Sequence, residues 1–145
     1  MKIITKTLSI DELTEMAKAG FGDLVKAVVD IEREIIALDA ELHSDLEAVL
    51  LEDGSQQRNL WGINFYPDIK GDDFLEFDSM INMRPSQGNM SRGVDSEAIR
   101  NKIKVIISQR ILSCARNIKF SLLEPGLNYL LWSKWRISAA KSTGR

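Results

Sequence analysis

The segment Leu60-Trp61-Gly62-Ile63-Asn64-Phe65-Tyr66 decides the fold that the sequence predicts, because large apolar residues alternate with small or polar ones. Successive side chains of a β-strand point to opposite faces of a sheet, so this alternation predicts a strand with one core face. Trp61, Ile63 and Phe65 form the core face, and Asn64 lies on the opposite face. We therefore expect a strand whose two faces have different surroundings.

The segments on both sides of this strand predict two further strands. Residues 42–52 lead into it through Asp53-Gly54-Ser55, a turn sequence in which glycine supplies the positive φ, and this predicts a hairpin. Residues 74–83 alternate again after a polar loop. Together the three segments predict an antiparallel meander.

Helical signals surround the predicted meander. A strand at residues 2–8 is followed by Ser9-Ile10-Asp11-Glu12, which fits a capping box and predicts the start of a helix. Residues 24–38 carry apolar side chains at helical spacing and predict a second helix, and Asp95 or Ser96 can cap a third. The predicted order is β-α-α-β-β-β-α, an α+β fold in which helices cover one face of an antiparallel sheet.

Length and composition predict one soluble domain and a distinct tail. The 145 residues are 44% hydrophobic and 28% charged, which is ordinary for a globular protein with a single core. No apolar run approaches the ~20 residues needed to cross a bilayer, so we expect a cytoplasmic protein that does not enter the membrane. We predict an α+β domain over residues 1–112 and a C-terminal extension over residues 113–145.

The C-terminal extension predicts a short basic amphipathic helix that contains Trp132 and Trp135. Three interpretations stay open. The helix docks on the body of the domain, it forms a homodimer by burying against a second subunit, or it binds a membrane surface, which its short length argues against.

Charge is distributed unevenly along the chain. Residues 1–99 carry 9 Lys or Arg against 20 Asp or Glu, whereas residues 100–145 carry 10 against Glu124 alone. The acidic body argues against a nucleic-acid partner, because it would repel a phosphate backbone. The single cysteine, Cys114, excludes an internal disulfide and a cysteine-cluster zinc site.

One candidate site lies on the polar face of the predicted sheet. Residues 43, 45 and 47 are at spacing two, so an open sheet face would carry the only histidine among several carboxylates. His43 would act there as a general base or a metal ligand, with Asp45 and Asp78 as partners. The alternative is a solvated face on which His43 pairs with Asp45 or Glu41 without any catalytic role.

A second candidate site is the polar loop over residues 84–94. Arg84 and Arg92 supply forked donors that suit a phosphate or carboxylate, and the amides of the helix predicted to follow favour an anion. The neutral hydrogen-bonding side chains of the loop are Ser86, Gln87, Asn89 and Ser91. We predict that an anionic small molecule or phosphate group binds here. The alternative is a loop that pins itself by internal hydrogen bonds and by an ion pair to Asp78 or Glu76.

Three stretches, Glu41 to Asp45, Leu60 to Pro67 and Asp78 to Val94, resemble a family of small prokaryotic proteins classed as a domain of unknown function. The resemblance covers about residues 1–112, and its signature is the motif EFDSMIN-x-RPSQGN-x-SRGV. The resemblance implies that the chain belongs to this family, but it does not indicate any particular activity. Whether the protein is an enzyme is therefore left open.

The predicted element order is also similar to that of ribosome-dependent messenger-RNA-cleaving toxins of the RelE type. Those toxins place a basic sheet surface against RNA, whereas the face predicted here is acidic. A protein-interaction module, or an RNA-binding module of the RelE type, is the third hypothesis, and the acidic face argues against RNA binding.

Overall fold

The computed structural model describes residues 1–112, and its centre is an antiparallel sheet of five strands. In chain order the helices and strands are β1 (Lys2–Ile4), β2 (Leu8–Ser9), α1 (Ile10–Ala19), β3 (Val25–Asp30), β4 (Ile35–Leu38), α2 (His43–Glu52), β5 (Leu60–Phe65), β6 (Leu75–Glu76), α3 (Glu97–Arg110) and β7 (Ile111–Leu112). The sheet order is β1-β4-β3-β5-β6, and β2 and β7 form a separate parallel pair. The predicted α+β class with an antiparallel sheet is confirmed.

Local signals in the sequence place β5 and the two outer helices correctly. In the capping box of α1, Ser9 Oγ accepts from the Glu12 backbone N–H at 3.1 Å, and the Glu12 carboxylate accepts from the Ser9 N–H at 3.0 Å. Ser96 is the N-cap of α3, and its Oγ accepts a hydrogen bond from the Ile99 N–H at 3.3 Å. Both caps satisfy amides that have no partner inside the helix.

The predicted helix over residues 24–38 is wrong, because this segment is the hairpin of β3 and β4. Almost every residue in the two strands is buried, so apolar side chains occupy both faces and the alternation typical of a strand is missing. Asp30 Oδ1 closes the turn by accepting from the N–H groups of Glu32 at 2.9 Å and Arg33 at 3.0 Å.

The predicted strand over residues 42–52 is also wrong, because His43–Glu52 forms α2. Leu46 and Leu50 are fully buried and lie one helical turn apart. Both side chains therefore face the core from the same side of the helix. In residues 74–83 only Leu75–Glu76 forms a strand, and Met80–Asn82 forms a 3-10 turn. The predicted order therefore agrees roughly with the structure, but the three-strand meander and its hairpin do not form.

Helices cover both faces of the sheet, which corrects the prediction of helices on one face. On the first face α1 and α3 pack against side chains that include Trp61, Ile63 and Phe65, the predicted core positions. On the second face Leu46 and Leu50 of α2 pack against β3, β4 and β5. The sheet needs two covering layers because its central strands are buried on both sides.

In the part of the chain that the structure describes, no helix is both long enough and apolar enough to cross a bilayer. The predicted helix with Trp132 and Trp135, and the homodimer hypothesis that depends on it, fall on residues 113–145, outside the described range.

Candidate functional site

A cavity of about 370 Å³ opens on the second face of the sheet, beside the first turn of α2. The register pairs Lys26 of β3 with Asn64 of β5, and Asn64 with Glu76 of β6. Directly paired residues point to the same face, so these three side chains form a row across three neighbouring strands. The polar side chains that line the cavity are those of Lys26, His43, Ser44, Asn64, Tyr66, Glu76, Asp78, Ser79 and Arg92.

His43 enters this cavity from the start of α2 and is held in one tautomer. Its Nε2 lies 2.8 Å from the carbonyl oxygen of Ile63, which can only accept a hydrogen bond, so Nε2 carries the proton and Nδ1 the lone pair. Burial lowers the pKa of His43, and the positive charge of Lys26 lowers it further, against the opposing effect of the Ile63 hydrogen bond. The ring is therefore neutral at pH 7.

Asn64 lies on the floor of the cavity, and its amide orientation is determined by two acceptors. Its Nδ2 donates to Glu76 Oε1 at 2.8 Å and to the Asp78 carbonyl at 3.2 Å. The Oδ1 atom is consequently turned away from them, and it is buried without a protein partner among residues 1–112. Burial lowers the pKa of the His43 ring, and the neighbouring Asn64 side chain opposes this with a smaller effect.

Tyr66 and Glu76 form the neighbouring part of the wall. The Tyr66 hydroxyl donates to Glu76 Oε1 at 3.2 Å. Burial, and then the negative charge of Glu76, raises the pKa of the Tyr66 phenol, so the hydroxyl keeps its proton.

Two cations border the cavity and have donor groups to spare. Arg92 Nε donates to Asp78 Oδ1 at 2.7 Å, and within the described residues its two terminal nitrogens have no protein partner. Lys26 makes no ion pair with any carboxylate in residues 1–112, and its Nζ lies 5.1 Å from the centre of the Phe21 ring. The site therefore combines one paired and one unpaired cation with the neutral His43.

Arg84, in contrast, lies inside the protein and does not line the cavity. Its guanidinium stacks on the Trp61 ring at 4.9 Å, donates to the Ile81 carbonyl at 3.0 Å and makes a short hydrogen bond to the Leu60 carbonyl. The Glu47 carboxylate is 3.7 Å away and balances its charge. Burial lowers the pKa of Arg84, against the opposing charge of Glu47.

Asn89 holds the loop together from within. Its Nδ2 donates to the carbonyls of Asn82 at 2.7 Å and Gly93 at 2.9 Å, and its Oδ1 accepts from the Asp95 N–H at 2.8 Å. The Ser91 hydroxyl donates to the Asp95 carboxylate at 2.5 Å, and this bond is the main reason that the pKa of Asp95 is lowered.

The remaining predicted loop residues also lie away from the cavity. Gln87 Nε2 donates to the Arg58 carbonyl at 3.2 Å, and Ser86 is exposed without a side-chain hydrogen bond to any described residue. These contacts favour the alternative in which the loop over residues 84–94 is held by its own hydrogen bonds and by the ion pair of Arg92 with Asp78. Of the six loop residues predicted to bind an anion, only Arg92 lines the cavity, and a ligand role for the other five stays a prediction that no contact supports.

The structure brings His43, Asp78 and Arg92 into one cavity and leaves Asp45 outside it, exposed on α2. Across residues 1–112 no three His, Cys, Asp or Glu side chains are grouped closely enough to hold a metal ion. The geometry therefore gives no metal site to the set of His43, Asp45 and Asp78.

Sequence reasoning missed Lys26 and the structural role of Asn82. The sequence does not indicate Lys26, because the apolar spacing around it predicts a helix, whereas the pairing of β3 with β5 places it beside Asn64. Asn82 is fully buried and holds both backbone groups of Gly62, accepting from its N–H at 2.8 Å and donating to its carbonyl at 2.9 Å. No signal in one sequence distinguishes this asparagine from a solvated one.

Comparison with curated proteins and with solved structures finds no match. Residues 2–110 match a family model described as "Protein of unknown function (DUF5674)", which covers nearly all of the described domain. The motif stretches that carried the resemblance, residues 41–45, 60–67 and 78–94, lie inside the matched region. The chain therefore belongs to the DUF5674 family of proteins of unknown function.

Proposed function

We propose that the protein binds a small polar molecule with an anionic group, such as a phosphate or carboxylate, in the cavity beside α2. The observation that carries the proposal is the pair of cations with spare donors. Arg92 uses only Nε for its ion pair, and Lys26 has no carboxylate partner among the described residues. Arg and Lys in a partly enclosed site are the usual ligands of phosphate and carboxylate.

Hydrogen-bond acceptors that line the same cavity favour a polar ligand rather than a bare ion. The unpartnered Oδ1 of Asn64, the lone pair of His43 Nδ1 and the carboxylate of Glu76 are all hydrogen-bond acceptors. A ligand with N–H or O–H groups beside its anionic group could donate to these acceptors. The volume of about 370 Å³ suits such a molecule, since small-molecule sites span roughly 300–1,000 Å³.

Titration of the protein with inorganic phosphate and pyrophosphate, followed by NMR or calorimetry, tests this proposal. Arg92→Ala and Lys26→Ala should each weaken binding by about 1.5 kcal/mol, or roughly tenfold, through the loss of a charge-assisted hydrogen bond. Lys102→Ala is the matched control, because Lys102 is an exposed lysine on α3, which covers the other face of the sheet. Equal affinity in all four proteins, or no binding at all, would count decisively against the proposal.

A second candidate function is proton transfer by His43, and one observation favours it. The ring is neutral, its Nε2–H is held by Ile63, and the remaining Nδ1 lone pair belongs to a residue that lines the cavity. A neutral imidazole in a substrate-sized cavity can act as a general base. Nitrogen-15 NMR of His43 should show Nε2 protonated and Nδ1 unprotonated at pH 7, and the opposite tautomer would remove this candidate.

A further inference from the structure

A second cavity, of about 390 Å³, adjoins the first one at the edge where β3 begins. The two cavities share Leu24 and Lys26 in their walls, so they lie side by side around these two residues. The first cavity is lined mainly by polar side chains. The second is lined by more residues with apolar side chains, namely Met16, Ala19, Phe21, Leu24, Val25 and Ala40, beside the charged Lys26, Asp39 and Glu41.

Phe21 is an exposed aromatic side chain in the wall of the second cavity. It lies in the turn Gly20-Phe21-Gly22 after α1, and 48% of its surface is exposed. Gly22 adopts φ of +98°, a conformation that glycine tolerates and that allows the chain to turn Phe21 outward. An aromatic side chain left exposed beside a cavity is a typical ligand contact.

Lys26 connects the two cavities. Its side chain lies on the same face as Asn64 in the first cavity, while its Nζ is 5.1 Å from the Phe21 ring of the second. The Nζ group is thus positioned at the junction, where it can bind an anion in the polar cavity without leaving the aromatic ring. The exposed carboxylates of Asp39 and Glu41 also line the second cavity and disfavour a second anionic group there. Asp39 lies beside Lys26, because its backbone N–H donates to the Lys26 carbonyl at 3.3 Å.

We propose that the two cavities are one elongated site for an amphipathic anion. Its anionic group lies between Lys26 and Arg92, and its apolar chain or ring lies on Phe21 and Leu24. The position of the anionic group rests on the proposed function. The apolar half of the site is an independent addition, because it depends on the second cavity.

Titration of the full chain with inorganic phosphate and with octyl phosphate, below its micelle concentration, separates the two halves. In the wild-type protein octyl phosphate should bind at least tenfold more tightly than phosphate, with amide shift changes at Val25, Lys26 and Ala40. Phe21→Ser should bring the ratio of the octyl phosphate affinity to the phosphate affinity down towards one. The ratio is the readout because the Lys26 Nζ that binds the anion also lies 5.1 Å from the Phe21 ring. Ile69→Ser is the control, since Ile69 is exposed to a similar extent (42%) and lines neither cavity.

The outcomes distinguish the inference from the proposed function. If phosphate binds and the octyl chain adds nothing, the elongated site is wrong and the anion site stands. If octyl phosphate binds tightly but Phe21→Ser and Ile69→Ser behave alike, the chain binds elsewhere and the inference is overturned. If neither compound binds, both the inference and the anion site fail.

Discussion

At the scale of single residues, the interior is organised by asparagine side chains that replace backbone hydrogen bonds. Asn82 holds Gly62 and also donates to the Arg92 carbonyl at 2.9 Å, while Asn89 holds the loop that carries Arg92. An amide has both donors and an acceptor, so one side chain can satisfy a backbone that has no strand partner. The position of Arg92 at the cavity therefore depends on two buried asparagines.

Asn82→Ala should lower the free energy of unfolding by about 2–3 kcal/mol, because it leaves buried N–H and carbonyl groups of Gly62 without partners. Urea denaturation measures the difference. Ser86→Ala is the control, since the Ser86 side chain is exposed and makes no hydrogen bond to the described residues, and it should change stability by less than ~0.5 kcal/mol. Equal stability of the two variants would contradict the structural role of Asn82.

His43 should make the stability of the protein depend on pH. Its pKa in the folded protein is lowered from 6.5, so the unfolded chain takes up a proton first as the pH falls. The contribution of His43 to stability is complete above about pH 6.5 and is lost as the pH falls towards the folded pKa.

His43→Gln cannot be protonated, so its free energy of unfolding should fall less than that of the wild-type protein between about pH 7.5 and pH 5. Denaturation at both pH values measures this double difference, in which the acid effects of all other groups cancel. An identical fall in the two proteins would show that the pKa of His43 is not lowered by folding.

At the scale of elements, burial on both faces decides which segments are strands and which are helices. In residues 25–30 and 35–38 almost every side chain is buried, so the two-residue alternation of a strand is absent, and the apolar spacing matches that of a helix only by chance. Residues 42–52 reach the second face through Leu46 and Leu50, and the apparent alternation of His43, Asp45 and Glu47 has no structural counterpart. Tertiary contacts override local pattern in short apolar segments.

The contact between β5 and the Met80–Asn82 turn should be sensitive to the size of residue 62. A Cβ atom at Gly62 would lie 2.5 Å from the Ser79 Cβ, so Gly62→Ala should cost about 1–3 kcal/mol through overpacking. Ser79→Gly opens the space, and the double variant should be more stable than the sum of the two single changes predicts. Strictly additive free energies of unfolding would mean that these two segments are not in close contact.

At the scale of the whole molecule, the described residues form a sheet with two covering layers and one open corner. Helices α1 and α3 cover the first face, α2 covers part of the second, and the cavity lies where α2 begins. The pair of β2 with β7 joins the two ends of this region, and Ile111 is fully buried. The boundary of the domain at residue 112 stays a prediction.

A chain ending at residue 112 should fold and unfold cooperatively, with a melting temperature within about 4 °C of the full chain, a shift that ~1 kcal/mol would produce. Circular dichroism and calorimetry measure it. A chain ending at residue 109 lacks Ile111 and β7, and it should be clearly less stable because a fully buried side chain is lost. If the chain that ends at residue 112 were much less stable than the full chain, residues 113–145 would belong to the domain.

The sequence by itself determined the α+β class, strand β5 with its core face of Trp61, Ile63 and Phe65, and the starts of α1 and α3. These features follow from local causes, namely the two-residue repeat of a half-polar strand and the capping of amides by nearby serines. The tertiary structure alone decided that residues 25–38 form the hairpin of β3 and β4 and that residues 43–52 form α2. It also decided that His43, Lys26 and Arg92 line the same cavity. Strand register and burial join residues far apart in the chain, and no local pattern encodes which distant segment will cover an apolar face.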